Sequence, residues 1–186
     1  MALFLKSFTL KTEYNGMKPF KMDFHDGLNI IVGENGSGKS SLLRLITTDQ
    51  KDLRLLCYVK ADPVNFRFLD TEKDNPRLKG DLSDSKNIAF DVGSHFWSHG
   101  ETMLPLVLAT KEFEGIVVLV DEPESGISLT NQKKIFDSFQ ASIKKNCQIV
   151  VTTHSYVIIK NSDTVYSLDK KEWVPSKDYL DGIGVE

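Results

Sequence analysis

An α/β fold, in which an antiparallel sheet precedes a parallel-sheet core, is what this sequence of 186 residues predicts, on three observations. Leu28 to Val32, Ile116 to Val120 and Gln148 to Thr152 are short, nearly continuous apolar runs, the form of strands buried on both faces. Apolar residues recur at helical spacing after the first two runs, at 42, 43, 45 and 46 and again at Ile135, Phe136, Phe139 and Ile143. Before Leu28 the chain instead carries the shorter period of half-buried strands.

Taken in order, Leu3, Leu5 and Leu10 with Phe4 and Phe8 predict a first strand. Phe20, Met22 and Phe24 alternate with Lys21 and Asp23 in a second, and Asn15-Gly16 lies between them as a turn. Leu28 to Val32 is a central strand that ends at glycine, and Ser41 to Thr47 opens a helix packed on the sheet. From about Thr48 to Trp97 the pattern weakens around Pro63, Pro76, Gly80 and a charged run near Thr71 to Lys86. Ile116 to Val120, a helix between Thr130 and Lys145, and Gln148 to Thr152 continue the core. Thr164 to Leu168, an Asp169-Lys170-Lys171 turn and Glu172 to Val174 close it as a hairpin.

Composition bounds the function. Hydrophobic residues make up 40% and charged residues 26%, which is ordinary globular usage and excludes a disordered or fibrous chain. The length suits one domain, expected over 1–186. A net charge of -3 offers no electrostatic case for nucleic acid, although Lys133-Lys134, Lys144-Lys145 and Lys170-Lys171 can form local patches. Cys57 and Cys147 lack CxxC or Cys/His spacing, so buried thiols are expected rather than a disulfide or zinc site. Lys6, Ser7 and Thr9 break the apolar start before it reaches membrane or signal length, which predicts a cytoplasmic protein without a membrane partner.

The chemistry is concentrated where strands end. Gly33-Glu34-Asn35-Gly36-Ser37-Gly38-Lys39-Ser40 is a complete GxxxxGK[ST] loop between a buried strand and a helix, the context that lets main-chain N–H groups and a helix N-terminus cradle phosphate. Asn35, Gly36, Ser37, Gly38, Lys39, Ser40 and Ser41 are the expected nucleotide contacts. Lys39 neutralises the β- and γ-phosphates, and Ser40 ligates magnesium. Asp121 and Glu122 leave the second buried run at the edge where open α/β sheets bind ligands. Asp121 is placed to hold the magnesium shell and Glu122 to polarise the attacking water, while His154, at the end of the third run, can bond the γ-phosphate.

GENGSGKSSLL, LVDEPESGISL and TTHS together resemble the P-loop ATPases of the ABC type, above all the compact soluble heads related to chromosome-maintenance and double-strand-break-repair proteins. The resemblance implies an ABC-ATPase head with an N-terminal antiparallel sheet and a small reduced helical lobe inserted over about 48–110, and a site in which a signature segment of one subunit closes over ATP held by another. Ser98, Gly100 and Glu101 of Ser98-His99-Gly100-Glu101 match that signature, although Pro105 follows so closely that the helix is expected to kink or start late. Ser125-Gly126-Ile127-Ser128 matches the loop along the dimer interface. The family's metal-sensing glutamine has no counterpart, and Glu72 or Asp70 stands in its place. The stretch 41–97 leaves no room for a coiled-coil arm, and the stretch after His154 none for a nuclease domain.

The function that follows is ATP binding and magnesium-dependent hydrolysis driving head-to-tail pairing of two chains, or a higher oligomer, that switches a protein effector. A DNA-related, host-defence or phage-conflict setting is implied by family analogy alone. Three alternatives stay open: a transporter's ATPase subunit, a small-molecule phosphotransferase, and a binding module clamped by ATP with negligible hydrolysis.

Overall fold

The apolar runs form the centre of the molecule. The computed structural model describes residues 3–48, 53–71, 74 and 99–184. Among these, β1 (Leu5–Leu10), β2 (Phe20–Asp23) and β4 (Cys57–Ala61) build an antiparallel sheet in the order β2-β1-β4. In β2, Phe20 and Met22 are buried and Lys21 and Asp23 exposed, the outcome that period-two alternation demands. The second sheet runs β5-β6-β7-β3-β8-β9, with β3 (Leu28–Val32), β5 (Phe66–Asp70), β6 (Val117–Asp121), β7 (Gln148–Thr152), β8 (Thr164–Ser167) and β9 (Glu172–Pro175). Its strands are parallel except β9, which returns antiparallel to β8 as the hairpin pattern predicted.

Because helices or the other sheet cover both faces of this sheet, its central strands can afford no polar alternation. Val117 and Leu119 share a core with the antiparallel sheet and with Leu42, Leu43, Leu45 and Ile46 of α1 (Lys39–Thr47). Val118 and Val120 point the other way, to Ile135, Phe136, Phe139 and Ile143 of α3 (Leu129–Lys144) and to Val107 of α2 (His99–Leu108). Each such side chain contributes about 1.5–3 kcal/mol on burial. The short helices α4 (Tyr156–Lys160) and α5 (Ser176–Gly182) complete that layer through Ile158, Ile159 and Leu180.

A buried polar side chain ties the two sheets together. Gln148, fully buried at the start of β7, accepts the Leu5 N–H at 2.7 Å and donates to the carbonyls of Leu5 at 2.9 Å and His25 at 2.8 Å.

The structure departs from expectation mainly between 48 and 110. Strands β4 and β5 lie within the stretch read as an inserted lobe, one in each sheet, and Thr110 is tied into the core by Ser138 and Ser142 of α3. An insert over about 48–110 is therefore corrected: 57–61 and 66–70 belong to the sheets. Their signal was weak because both are edge strands; β4 buries only Cys57, and β5 only Leu69 and Asp70. Helix α1 starts at Lys39 rather than Ser41, and α2 runs through Pro105. Cys57 and Cys147 are buried thiols, and burial pushes the Cys57 thiol up. Among the described residues no helix is long and apolar enough to cross a membrane.

Candidate active site

The loop after β3 is shaped by left-handed backbone at two glycines. Gly36 has φ 81° and Gly38 φ 99°, values that disfavour any side chain. At Gly38 a Cβ would also run into Met17 Cγ and lie 2.5 Å from Met17 Sδ, so the turn between β1 and β2 packs directly on the loop. Asn15 of the same turn reaches Ser41 Oγ at 3.5 Å. Lys39, only 4% exposed, donates from Nζ to the Gly33 and Glu34 carbonyls, each at 3.0 Å. Burial lowers its pKa, and the carboxylates of Glu122, Asp169, Asp121 and Glu124 oppose that. The ammonium is thus held in place at the mouth of a cleft of about 250 Å³ lined by Asn15, Asn35, Gly36, Gly38, Lys39, Ser40, Ser41 and Glu122.

Ser37, expected among the nucleotide contacts, is not among the residues that line this cleft. Its N–H bonds the Glu34 carbonyl and its hydroxyl is buried without a partner, against Gly33, where a Cβ would stand 2.7 Å from Ser37 Oγ.

The parallel strands β6 and β7 bring the acidic pair and the histidine to the same edge. Asp121 is 7% exposed and pairs in register with Thr152, whose hydroxyl donates to Asp121 Oδ1 at 2.5 Å. Glu122 has φ 44°, a left-handed conformation that turns the chain off the strand axis. Its N–H is held by the Thr152 carbonyl at 3.0 Å and the Thr152 hydroxyl at 3.2 Å. Strain of this kind persists where the surroundings over-determine it. Glu122 Oε1 comes to 4.0 Å from Lys39 Nζ and 3.6 Å from His154 Nε2. Burial and the neighbouring Lys39 charge lower the His154 pKa, with Glu122 and Asp169 opposing, which favours a neutral imidazole near pH 7.

Glu122 is therefore brought within ion-pair range of both Lys39 and His154, which lie far from it in sequence, with Asp121 beside it. Strand β5 ends at Asp70, in register with Asp121, so the chain that follows leaves at this edge too. Asp70 itself pairs with Arg44 at 3.0 Å on α1. Glu72 and Ser98 lie outside the described residues. Gly100 and Glu101 fall in the first turns of α2. In the 125–128 loop Ser125, Gly126 and Ser128 are exposed and Ile127 is buried.

Sequence reasoning missed two carboxylates. Asp169, read as a plain turn residue, accepts the Glu34 N–H on Oδ2 at 3.0 Å and so holds the first turn of the phosphate loop. Only the topology reveals it: β8 runs parallel to β3, so the turn after β8 emerges beside the loop after β3. Glu124 accepts the His154 N–H on Oε1 at 2.6 Å. Burial pushes its carboxyl up, and the hydrogen bond from the His154 main chain opposes that.

Comparison with known proteins agrees with this geometry. The model of the family described as "AAA domain, putative AbiEii toxin, Type IV TA system" matches residues 60–160, just over half the chain, including Asp121, Glu122 and His154. Among solved structures, the chain is similar to cbiO1 from Clostridium perfringens, part of an ABC transporter complex, with 14% identity, a TM-score of 0.62, and coverage of 96% of this chain and 92% of that one. It is also similar to the SMC head domain from Thermotoga maritima, with 17% identity, a TM-score of 0.57, and coverage of 89% and 94%. No curated protein matches the sequence. A glycine loop on β3, an acidic pair on β6 and a histidine on β7, at one edge of this sheet order, are the frame of the P-loop ATPases of the ABC type, and within them the chain belongs to the AAA-domain family whose model it matches.

Proposed function

We propose that this chain binds ATP with magnesium at the β3-β6-β7 edge and hydrolyses it, and that nucleotide binding closes two copies head to tail to switch a protein effector. The observation that carries this reading is the contact of Glu122 Oε1 with both Lys39 Nζ at 4.0 Å and His154 Nε2 at 3.6 Å, at the mouth of the phosphate loop. A carboxylate there faces the position a terminal phosphate takes when Lys39 and the N-terminus of α1 hold the others.

Glu122 accepts a proton from water as the water oxygen bonds to the γ-phosphorus and the bond to the bridging oxygen breaks, leaving ADP and phosphate. Lys39, pinned by two carbonyls before any ligand arrives, offsets charge on the phosphates without first reorganising. His154 bonds a γ-phosphate oxygen through its neutral imidazole. The donors available to magnesium are hard oxygens, the Ser40 hydroxyl and the Asp121 carboxylate that Thr152 orients. Among the described residues no group of three His, Cys, Asp or Glu side chains could hold a metal, which suits an ion held largely by phosphate and water oxygens. Magnesium supplies charge neutralisation across the phosphates.

Water as acceptor separates this reading from a small-molecule phosphotransferase. Wild-type protein given only ATP and magnesium should release phosphate, and Lys39→Ala should abolish it. Phosphate release that appears only with an added acceptor would overturn the proposal. The pairing and a DNA-related or defence role rest on the family resemblance.

A further inference from the structure

Glu124 lies one turn beyond the acidic pair, and its carboxylate is not used in the hydrolysis scheme. Its side chain leaves the 122–127 turn, which is closed by Ser125 N–H to Glu122 O at 3.1 Å and Ile127 N–H to Glu124 O at 2.9 Å. Oε1 takes the main-chain N–H of His154 at 2.6 Å, while Oε2 is buried without a partner. A second tie runs in parallel through α3: Gln132 Nε2 donates to Ile127 O at 2.8 Å, and Ser155 Oγ and Gln132 Oε1 are 2.7 Å apart. Ser155 in turn caps α4 by accepting the Ile158 N–H at 3.1 Å. On its other side the histidine segment is held by Thr153 N–H bonding Ile31 O at 3.1 Å, on the strand that leads into the phosphate loop.

We infer that Glu124 is a positioning residue: by binding the His154 N–H it holds the imidazole against Glu122, and with Gln132 it makes the 122–127 turn and the 153–155 strand end one hydrogen-bonded unit. The inference rests on the hydrolysis reading for the consequence of misplacing His154, but not for the contact itself. It follows that displacement of the exposed 125–128 loop is transmitted to His154 by two short bonds rather than through the sheet. What this place requires is reach and an acceptor oxygen, which a neutral amide supplies as well as a carboxylate.

Three variants separate reach from charge. Glu124→Gln keeps the length and a carbonyl acceptor. Glu124→Asp keeps the charge and withdraws the acceptor by one carbon–carbon bond, about 1.5 Å. Glu124→Ala removes both. Turnover and ATP-magnesium dependence are measured together with exchange of the His154 amide by NMR. The aspartate and alanine variants should lose His154 amide protection and about 10- to 100-fold in kcat, the range a displacement near 1 Å produces. KM should stay within about twofold, because Lys39 and the loop are untouched. The glutamine variant should retain protection and stay within about threefold of wild-type kcat. Should alanine fail to fold, aspartate against glutamine carries the comparison. Retained kcat and protection in aspartate, or loss in glutamine with aspartate intact, overturns the inference. A wild type that releases no phosphate would instead remove the hydrolysis reading, and amide exchange alone then decides whether Glu124 holds His154.

Discussion

Gln148→Leu isolates what joins the antiparallel sheet to the core. Leucine nearly matches glutamine in volume, so packing is kept while three hydrogen bonds, to Leu5 N–H, Leu5 O and His25 O, are deleted. Leu5 is fully buried, which leaves its two main-chain groups without water or protein partners. Each orphaned group costs about 1–3 kcal/mol, and the His25 carbonyl, bonded at a partly buried place, can be rehydrated more cheaply. The loss is therefore about 2–6 kcal/mol, a large part of the 5–15 kcal/mol typical of a whole domain. At about 2–4 °C per kcal/mol for a chain of this size, Tm should fall by roughly 5–20 °C. Urea unfolding followed by circular dichroism reads the change directly, with the slope m unaltered. Gln148→Glu, which sets acceptors against two carbonyls, should fall at least as far. A shift under about 0.5 kcal/mol for Gln148→Leu, the size of an ordinary surface substitution, refutes the assignment of Gln148 as the staple.

Gly38→Ala should destabilise by about 2–4 kcal/mol, from left-handed backbone and overpacking on Met17 together; combined with Met17→Ala the effects should be clearly less than additive in urea unfolding, and strict additivity contradicts the packing described. The Glu124 carboxyl is raised from 4.5, so the stability it gives is present below that pH and lost as pH rises through the folded value. The stability advantage of Glu124→Gln over wild type should therefore grow from about pH 4 to pH 7, whereas a constant gap contradicts the burial of a reluctant carboxylate. Asp169→Asn keeps an acceptor for the Glu34 N–H but removes negative charge beside a polyanion site. In the Glu122→Gln background it should tighten ATP binding by about 2- to 5-fold, less at high salt, and calorimetric titration showing weaker binding would count against that placement.

Much of this was legible in the sequence, for a physical reason. Strands β3, β6 and β7 are buried on both faces, so their residues must be apolar almost without interruption, and the chemistry-bearing residues had to follow directly at the edge. The glycine loop was legible because the left-handed backbone at Gly36 and Gly38 disfavours any side chain. Strands β4 and β5 were not, because an edge strand with one partner buries too few residues to leave a period. Gln148, Asp169 and Glu124 act through partners 143, 135 and 30 positions away, and nothing in their neighbourhoods marks them.

The central claim is that Glu122 activates water while Lys39 and the phosphate loop bind nucleotide independently of it. Molar mass in solution of wild type and Glu122→Gln, with and without ATP-magnesium, tests it most directly when phosphate release is followed in the same samples. Wild type should turn ATP over, and Glu122→Gln, about 10²- to 10⁴-fold slower, should accumulate as a pair only when ATP is present. A Glu122→Gln protein that releases phosphate as fast as wild type, or that shows the same mass with and without ATP, contradicts the account.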